Sequence, residues 1–162
     1  MLTKPWDMIA GKPDVAVVII SIANFGELAD IGMHALGRAI QLVEDLVDRY
    51  FPATSRHRRV EWLSVCISLE HADDYDIGLY MSQLTGYLDE NDLEIPQDGW
   101  IDAAWVSVRV VSGMATSRLP VADGWPLVLA AAREVNRALE ALPPGWAGSP
   151  IQPTADFALD SR

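Results

Sequence analysis

The sequence predicts an α/β (α+β) two-layer sandwich, in which a small mixed or antiparallel sheet of three to five strands carries two or three helices. A short apolar run early in the chain precedes a long helical pattern, two later segments alternate between apolar and polar residues, and a second helical pattern follows. Alternating strands suit a mixed or antiparallel sheet better than a buried parallel one. The predicted element order is β-α-β-(α or β)-β-α.

The length and composition indicate one domain. A chain of 162 residues with 50% hydrophobic residues can bury a core of its own. We expect a single α/β domain over residues 1–145 and a C-terminal tail over residues 146–162, either packed on the domain or flexible. The single cysteine, Cys66, excludes an internal disulfide framework and indicates a buried thiol.

The first strand and helix have clear signals. Residues 15–23 are apolar on both faces, which predicts a central strand. Asn24 then caps a helix with Glu27 at capping-box spacing, and the apolar stripe continues to about Phe51.

The later elements are less uniform. Residues 52–59 read as a turn, residues 60–69 and 101–111 as alternating strands, and residues 112–125 as a loop before a closing helix that begins at Pro126. Residues 76–88 fit helical spacing, but Gly78 and Gly86 weaken a helix, so a strand remains the alternative.

The middle of the chain is strongly acidic. The stretch from Val60 to Val108 contains no Lys or Arg. It contains eleven carboxylates: Glu61, Glu70, Asp73, Asp74, Asp76, Asp89, Glu90, Asp92, Glu94, Asp98 and Asp102. The net charge of −11 disfavours direct contact with nucleic acid or with an anionic membrane. We therefore expect a basic protein or protein complex as the partner, with a homodimer as a further possibility.

The alternating strands predict a binding surface. If helices cover only one face of the sheet, tryptophans and Arg109 lie on an open face, and such residues are typical anchors of protein interfaces. Acidic loops at its rim would steer a basic partner. The predicted partner-binding residues are Trp62, Trp105, Arg109, Asp73, Asp74, Asp76, Asp89, Glu90 and Asp92.

These features favour a small acidic, non-enzymatic binding protein that occludes a basic macromolecular target. Inhibitors, immunity proteins and anti-defence proteins work in this way, and no cofactor is expected. The chain has no Gly-x-Ser-x-Gly motif and only three histidines, so no catalytic residue is assigned.

Two alternatives remain open. The segment Glu70, His71, Asp73 and Asp74 could hold the metal ion of a metal-dependent hydrolase, although no second histidine stands at ligand spacing. The second alternative is a structural subunit that associates with copies of itself. The longest apolar run is far shorter than the roughly 20 residues that a membrane-spanning helix needs, so we expect a cytoplasmic protein.

Overall fold

The computed structural model describes residues 4–96 and 103–153 and confirms the predicted fold class. Within these residues the order is a 3₁₀ turn (Pro5–Asp7), β1 (Val15–Ile22), α1 (Phe25–Ile31), α2 (Met33–Tyr50), β2 (Arg56–Val60), β3 (Ser64–Glu70), α3 (Asp74–Glu90), β4 (Leu93–Ile95), β5 (Ala104–Val106), β6 (Val110–Ser117) and α4 (Trp125–Glu140). The main sheet has the order β2-β3-β1-β6, and β4 pairs with β5 in a second sheet. All pairs are antiparallel.

Strand β1 is the centre of the fold. All eight of its residues are buried, as the unbroken apolar run predicts. It lies between two partners, so that Ile19 is opposite Cys66 of β3 and Gly113 of β6. Because successive side chains point to opposite faces, β1 contributes to a hydrophobic core on each side of the sheet.

Three helices cover one face of the main sheet. The core there combines alternate residues of β1 and β3 with the apolar stripes of α2 and α3. Helix α4 and the N-terminal segment around Trp6 and Ile9 cover the opposite face, where Val128 and Val135 are fully buried. The expectation of an open sheet face is therefore wrong, because the amphipathic helix α4 packs on that face.

The predicted single helix after β1 is two helices. Gly32 separates them with a φ of 147°, which lies outside the helical region and favours glycine. The apolar pattern continues across this break, which is why the sequence reads as one helix.

Two predicted loops are strands. The segment of residues 52–59 that reads as a turn contains most of β2. In the part of the chain that the structure describes, β2 is an edge strand paired only with β3. Edge strands tolerate charged residues, since one side of their backbone faces away from the sheet. His57 and Arg59 contact Asp48 and Glu44 of α2. Strand β6 extends into the predicted loop, and the start of the predicted strand at residues 101–102 lies outside the described residues.

Residues 76–88 belong to helix α3, so the helical alternative for this segment is confirmed and the strand alternative is wrong. Asp73 caps it in a capping box, in which its side chain accepts from the Asp76 backbone N–H at 2.9 Å. Gly78 and Gly86 have open space where a Cβ would lie. The predicted acidic loop after α3 contains β4, whereas Asp98 and Asp102 lie outside the described residues.

Gly113 allows α4 to approach β6. A Cβ on Gly113 would lie 2.3 Å from the carbonyl oxygen of Ala131. We expect Gly113→Ala to lower the free energy of unfolding by about 3 kcal/mol, because backbone must shift to relieve this overlap. The matched change Gly78→Ala in α3 should raise it by about 0.5–1 kcal/mol. Urea denaturation measures both, and equal stability of the two variants would contradict this packing.

Cys66 is a buried, protonated thiol. Burial raises the pKa of Cys66 to about 12 from 9.0, and the nearby Arg58 guanidinium only partly opposes this. Since the folded pKa is above the unfolded one, the unfolded state loses its proton first as pH rises. The stabilisation is complete below pH 9 and is lost progressively towards pH 12.

Cys66→Val should therefore flatten the alkaline part of the stability profile. We expect the stability difference between the wild type and this variant to shift in favour of the variant between pH 8 and pH 10.5, measured by urea denaturation. The folded wild type should also react slowly with a thiol reagent at pH 8. Rapid labelling of native protein would contradict a buried thiol.

Candidate functional site

Buried polar side chains are concentrated at one end of the sheet, where β1 ends and the turn between β2 and β3 lies. We call this region the hairpin end. Among the described residues the buried polar side chains are Ser21, Asn24, Ser64 and Ser68, and the first three belong to this end. Burying polar groups is unfavourable unless they are hydrogen-bonded, so such a concentration indicates a functional site or a structural junction.

Hydrogen bonds attach the hairpin turn to the end of β1. The hydroxyl of Ser64 donates to the Ser21 hydroxyl at 3.0 Å. The backbone N–H of Ile22 donates to the Leu63 carbonyl at 3.0 Å. The turn, residues 61–63, is thereby held beside the start of α1.

Asn24 joins three elements. Its amide nitrogen donates to the Ser107 carbonyl at 2.6 Å and to the Glu27 carboxylate at 2.8 Å. Its amide oxygen accepts from the Arg109 backbone N–H at 2.9 Å. Asn24 thus stands at the N-cap of α1 as predicted, but the expected capping box does not form, because its side chain makes no cap hydrogen bond. The side chain instead binds the segment between β5 and β6 and orients Glu27.

Two clefts open at the hairpin end. The larger, about 430 Å³, is lined by Asn24, Gly26, Glu27, Asp30 and residues 144–146. The smaller, about 170 Å³, lies between the end of β1, the hairpin turn and residues 148–151. Acidic, hydroxyl and aromatic side chains therefore face neighbouring clefts.

Aromatic rings form part of the smaller cleft. Phe25 and Trp62 meet edge to face, with ring centroids 6.0 Å apart and an interplanar angle of 89°. Trp62 remains 49% exposed, so its ring is accessible for stacking. The carboxylate of Glu61 lies beside it in the same turn.

Part of the predicted partner-binding set lies together beside the hairpin end, on the segment that Asn24 binds. Arg109 forms an ion pair with Asp89 at 2.6 Å, and Ser107 donates to Asp92 at 3.0 Å. Trp105 is 64% exposed on β5, and Glu90 ends α3. Trp62 is separate from this group, because it lies in the hairpin turn.

The remaining predicted residues lie at the other end of α3. Asp73, Asp74, Asp76 and His71 line an open cleft of about 570 Å³ with Asp14 and Arg118. Asp73 caps α3, and Glu70 forms an ion pair with Lys12 at 3.1 Å.

Seventeen residues of helix span about 25 Å, so the carboxylates at the start of α3 are far from Asp89 and Asp92.

The proposed metal ligands do not converge. In the described part of the chain, no group of three or more His, Cys, Asp or Glu side chains is arranged to hold a metal ion. The hydrolase centred on Glu70, His71, Asp73 and Asp74 is therefore not supported. The ligand types were adjacent in sequence, but capping and pairing with Lys12 direct them apart.

Sequence reasoning missed most of the hairpin end. Ser21, Asp30, Glu61 and Ser64 come from three segments that only the sheet brings together. One signal was available, since polar residues directly after a buried central strand often mark a binding site. The spacing of Asn24 and Glu27 in the sequence predicts only a helix cap.

The fold of this chain is similar to that of GGDEF domains. Solved structures with this fold include the GGDEF domain of FimX from Pseudomonas aeruginosa, with a TM-score of 0.64 at 13% identity, covering 82% of this chain and 78% of that one. The GGDEF domain of DgcB from Caulobacter crescentus, in complex with c-di-GMP, has a TM-score of 0.63 at 15% identity, covering 80% and 69%.

A third structure is the diguanylate cyclase SiaD from P. aeruginosa, in complex with its activator SiaC. Its TM-score is 0.60 at 12% identity, covering 79% of this chain and 45% of SiaD. No sequence family matches this chain, and no curated protein is similar to it in sequence.

These similarities correct the functional prediction. The expectations of a non-enzymatic inhibitor, an immunity protein or an anti-defence protein are wrong, because the structural neighbours are GGDEF domains, among them a diguanylate cyclase. The acidic charge and the expected open sheet face with tryptophan anchors led to that prediction, and neither specifies a function.

The glycine pair in the name GGDEF has no counterpart in this chain. Read as one-letter residues, the name GGDEF begins with two adjacent glycines, and no two glycines are adjacent in this sequence. Within residues 4–96 and 103–153, none of the helices combines the length and apolar character needed to cross a bilayer.

Asn24 should be the main polar support of the hairpin end. We expect Asn24→Ala to lower the free energy of unfolding by about 1–3 kcal/mol, since it removes three hydrogen bonds in a buried position. Asn91→Ala is the matched control, because Asn91 is exposed and donates one hydrogen bond to Tyr87. Thermal denaturation compares them, and equal losses would contradict a supporting role for Asn24.

Proposed function

We propose that this chain is a guanine-nucleotide domain of the diguanylate cyclase type, with its ligand-binding region at the hairpin end. The observation that carries the proposal is the GGDEF fold, since a structural neighbour, DgcB, binds c-di-GMP and another, SiaD, is a diguanylate cyclase. The clefts at the hairpin end support it, because they combine a stacking surface with hydrogen-bond acceptors.

The smaller cleft suits a guanine base. Aromatic side chains stack on any base, and the exposed ring of Trp62 is held edge-on by Phe25. Guanine presents N–H donors on its Watson–Crick edge, which a carboxylate accepts. Glu61 is the acceptor beside Trp62.

The larger cleft suits a phosphate group accompanied by a divalent cation. Mg²⁺ is usually held by one or two carboxylates together with substrate phosphates. Glu27 and Asp30 are such oxygen donors one helical turn apart on α1, and Asn24 orients the first of them. A chain of net charge −11 would repel a nucleotide without this neutralisation.

Nucleotide binding tests the proposal directly. We expect GTP or c-di-GMP to bind in the presence of Mg²⁺, with affinity that falls when Mg²⁺ is replaced by EDTA. Trp62→Ala should weaken binding by about tenfold, the effect of losing one stacked base. Isothermal titration calorimetry measures both effects.

The matched control is Trp105→Ala. Trp105 is also an exposed tryptophan, but it lies on β5 and does not line the clefts of the hairpin end. Its variant should bind as the wild type does. Failure of the wild type to bind either nucleotide overturns the proposal.

The same samples can be assayed for catalysis. Incubation with GTP and Mg²⁺, followed by chromatography, detects c-di-GMP and pyrophosphate. Formation of both products assigns c-di-GMP synthesis to this domain. Binding without turnover identifies a domain that binds the nucleotide but does not catalyse the reaction.

A protein partner is part of the proposal. SiaD is in complex with an activator protein, which supports regulation of this chain by a partner. The exposed Trp105 and the neighbouring Asp89, Glu90, Asp92 and Arg109 are the proposed contact region. A basic partner and a homodimer both fit its charge and its tryptophan.

A further inference from the structure

The segment after α4 passes over the hairpin end. Residues 143–152, which we call the strap, supply lining residues to both clefts. The strap contains three prolines and two glycines and forms no regular helix or strand. It therefore lies on the nucleotide-binding region without being part of the sheet or of a helix.

The first attachment of the strap is at α1. The Gly26 backbone N–H donates to the Trp146 carbonyl at 2.9 Å. The approach is close enough that a Cβ on Gly26 would lie 2.1 Å from the carbonyl oxygen of Gly145. Glycine at position 26 is thus required by the strap, since a helix itself accepts alanine better.

The second attachment is at the far end of the strap. The side chain of Asn136 on α4 both donates to and accepts from the backbone of Ile151, each at 2.8 Å. The side chain of Ile151 is 3% exposed in the core beneath α4. Residues 147–149 between the attachments have no hydrogen bond to the body among those found in the described residues.

The strap also forms a hydrogen bond with Glu61, a residue of the proposed ligand site. The Gln152 backbone N–H donates to the Glu61 carboxylate at 3.0 Å. This is the carboxylate assigned above to a guanine base. This hydrogen bond occupies Oε1 of Glu61, so a guanine that binds both carboxylate oxygens through its two Watson–Crick N–H donors has to replace it. For such a base, the strap and the ligand compete for the same acceptor.

We propose that the strap is an autoinhibitory segment that leaves the hairpin end before a guanine nucleotide binds. The residues assigned to the ligand, which are Trp62, Glu61, Glu27 and Asp30, belong to the body and not to the strap. This inference rests on the proposed function. A segment held by few hydrogen bonds opens at a lower free energy than the surrounding core. The apparent affinity for nucleotide then depends on the fraction of molecules in which the strap is released.

Two variants release the strap by different routes. Gly26→Ala introduces a methyl group against the Gly145 carbonyl, and Asn136→Ala removes both hydrogen bonds to Ile151. Gly37→Ala in α2 is the matched control, because a Cβ there has no atom within 4 Å.

Two measurements separate the possible outcomes. Hydrogen exchange by mass spectrometry over residues 144–152 reports release of the strap, and calorimetry with GTP and c-di-GMP in Mg²⁺ reports affinity. We expect faster exchange and about tenfold tighter binding in both variants, with no change in Gly37→Ala.

Other results overturn the inference in distinguishable ways. Faster exchange with unchanged affinity means that the strap does not compete with the ligand. Unchanged exchange in both variants means that these contacts do not hold it. Absence of nucleotide binding in the wild type removes the proposed function, whatever the exchange rates, and the strap's inhibitory role with it.

Discussion

Burial of β1 on both of its faces is the constraint on which the rest of the structure depends. Each face of this strand needs apolar cover, so helices α1–α3 pack on one side and α4 on the other. Its two edges pair with β3 and β6. The polar side chains of Ser21 and Asn24 lie where this strand ends.

The hairpin end follows from this arrangement. The antiparallel pairing of β1 with β3 brings the turn at residues 61–63 beside the start of α1, so Trp62 meets Phe25 without being near it in sequence. Because α4 packs on the other face of β1, the segment that follows it crosses the same region. The proposed ligand site and the strap are thus consequences of one topology.

Some elements were predicted correctly because their signals are local. The apolar run of β1, the apolar residues of β3 and the cap at Asp73 each depend on neighbouring residues. The strand predicted over residues 60–69 nevertheless begins only at Ser64, because Val60 ends β2 and residues 61–63 form the turn. The break at Gly32 and the strand β2 were missed because their signals are not local. An edge strand is stabilised by its pairing with β3, and Arg59 is accommodated by Glu44 on a distant helix.

The sequence by itself determined the class of fold, the central strand, the amphipathic helices and the acidic charge, because these depend on the composition and period of short segments. Only the tertiary structure decided which polar residues meet. It separated Asp73 from Asp89 along the length of α3 and brought Ser21, Glu61 and Asp30 to the hairpin end from distant segments. The physical reason is that strand pairing and helix packing, both long-range, set the distances between side chains, whereas sequence spacing sets them only within one element.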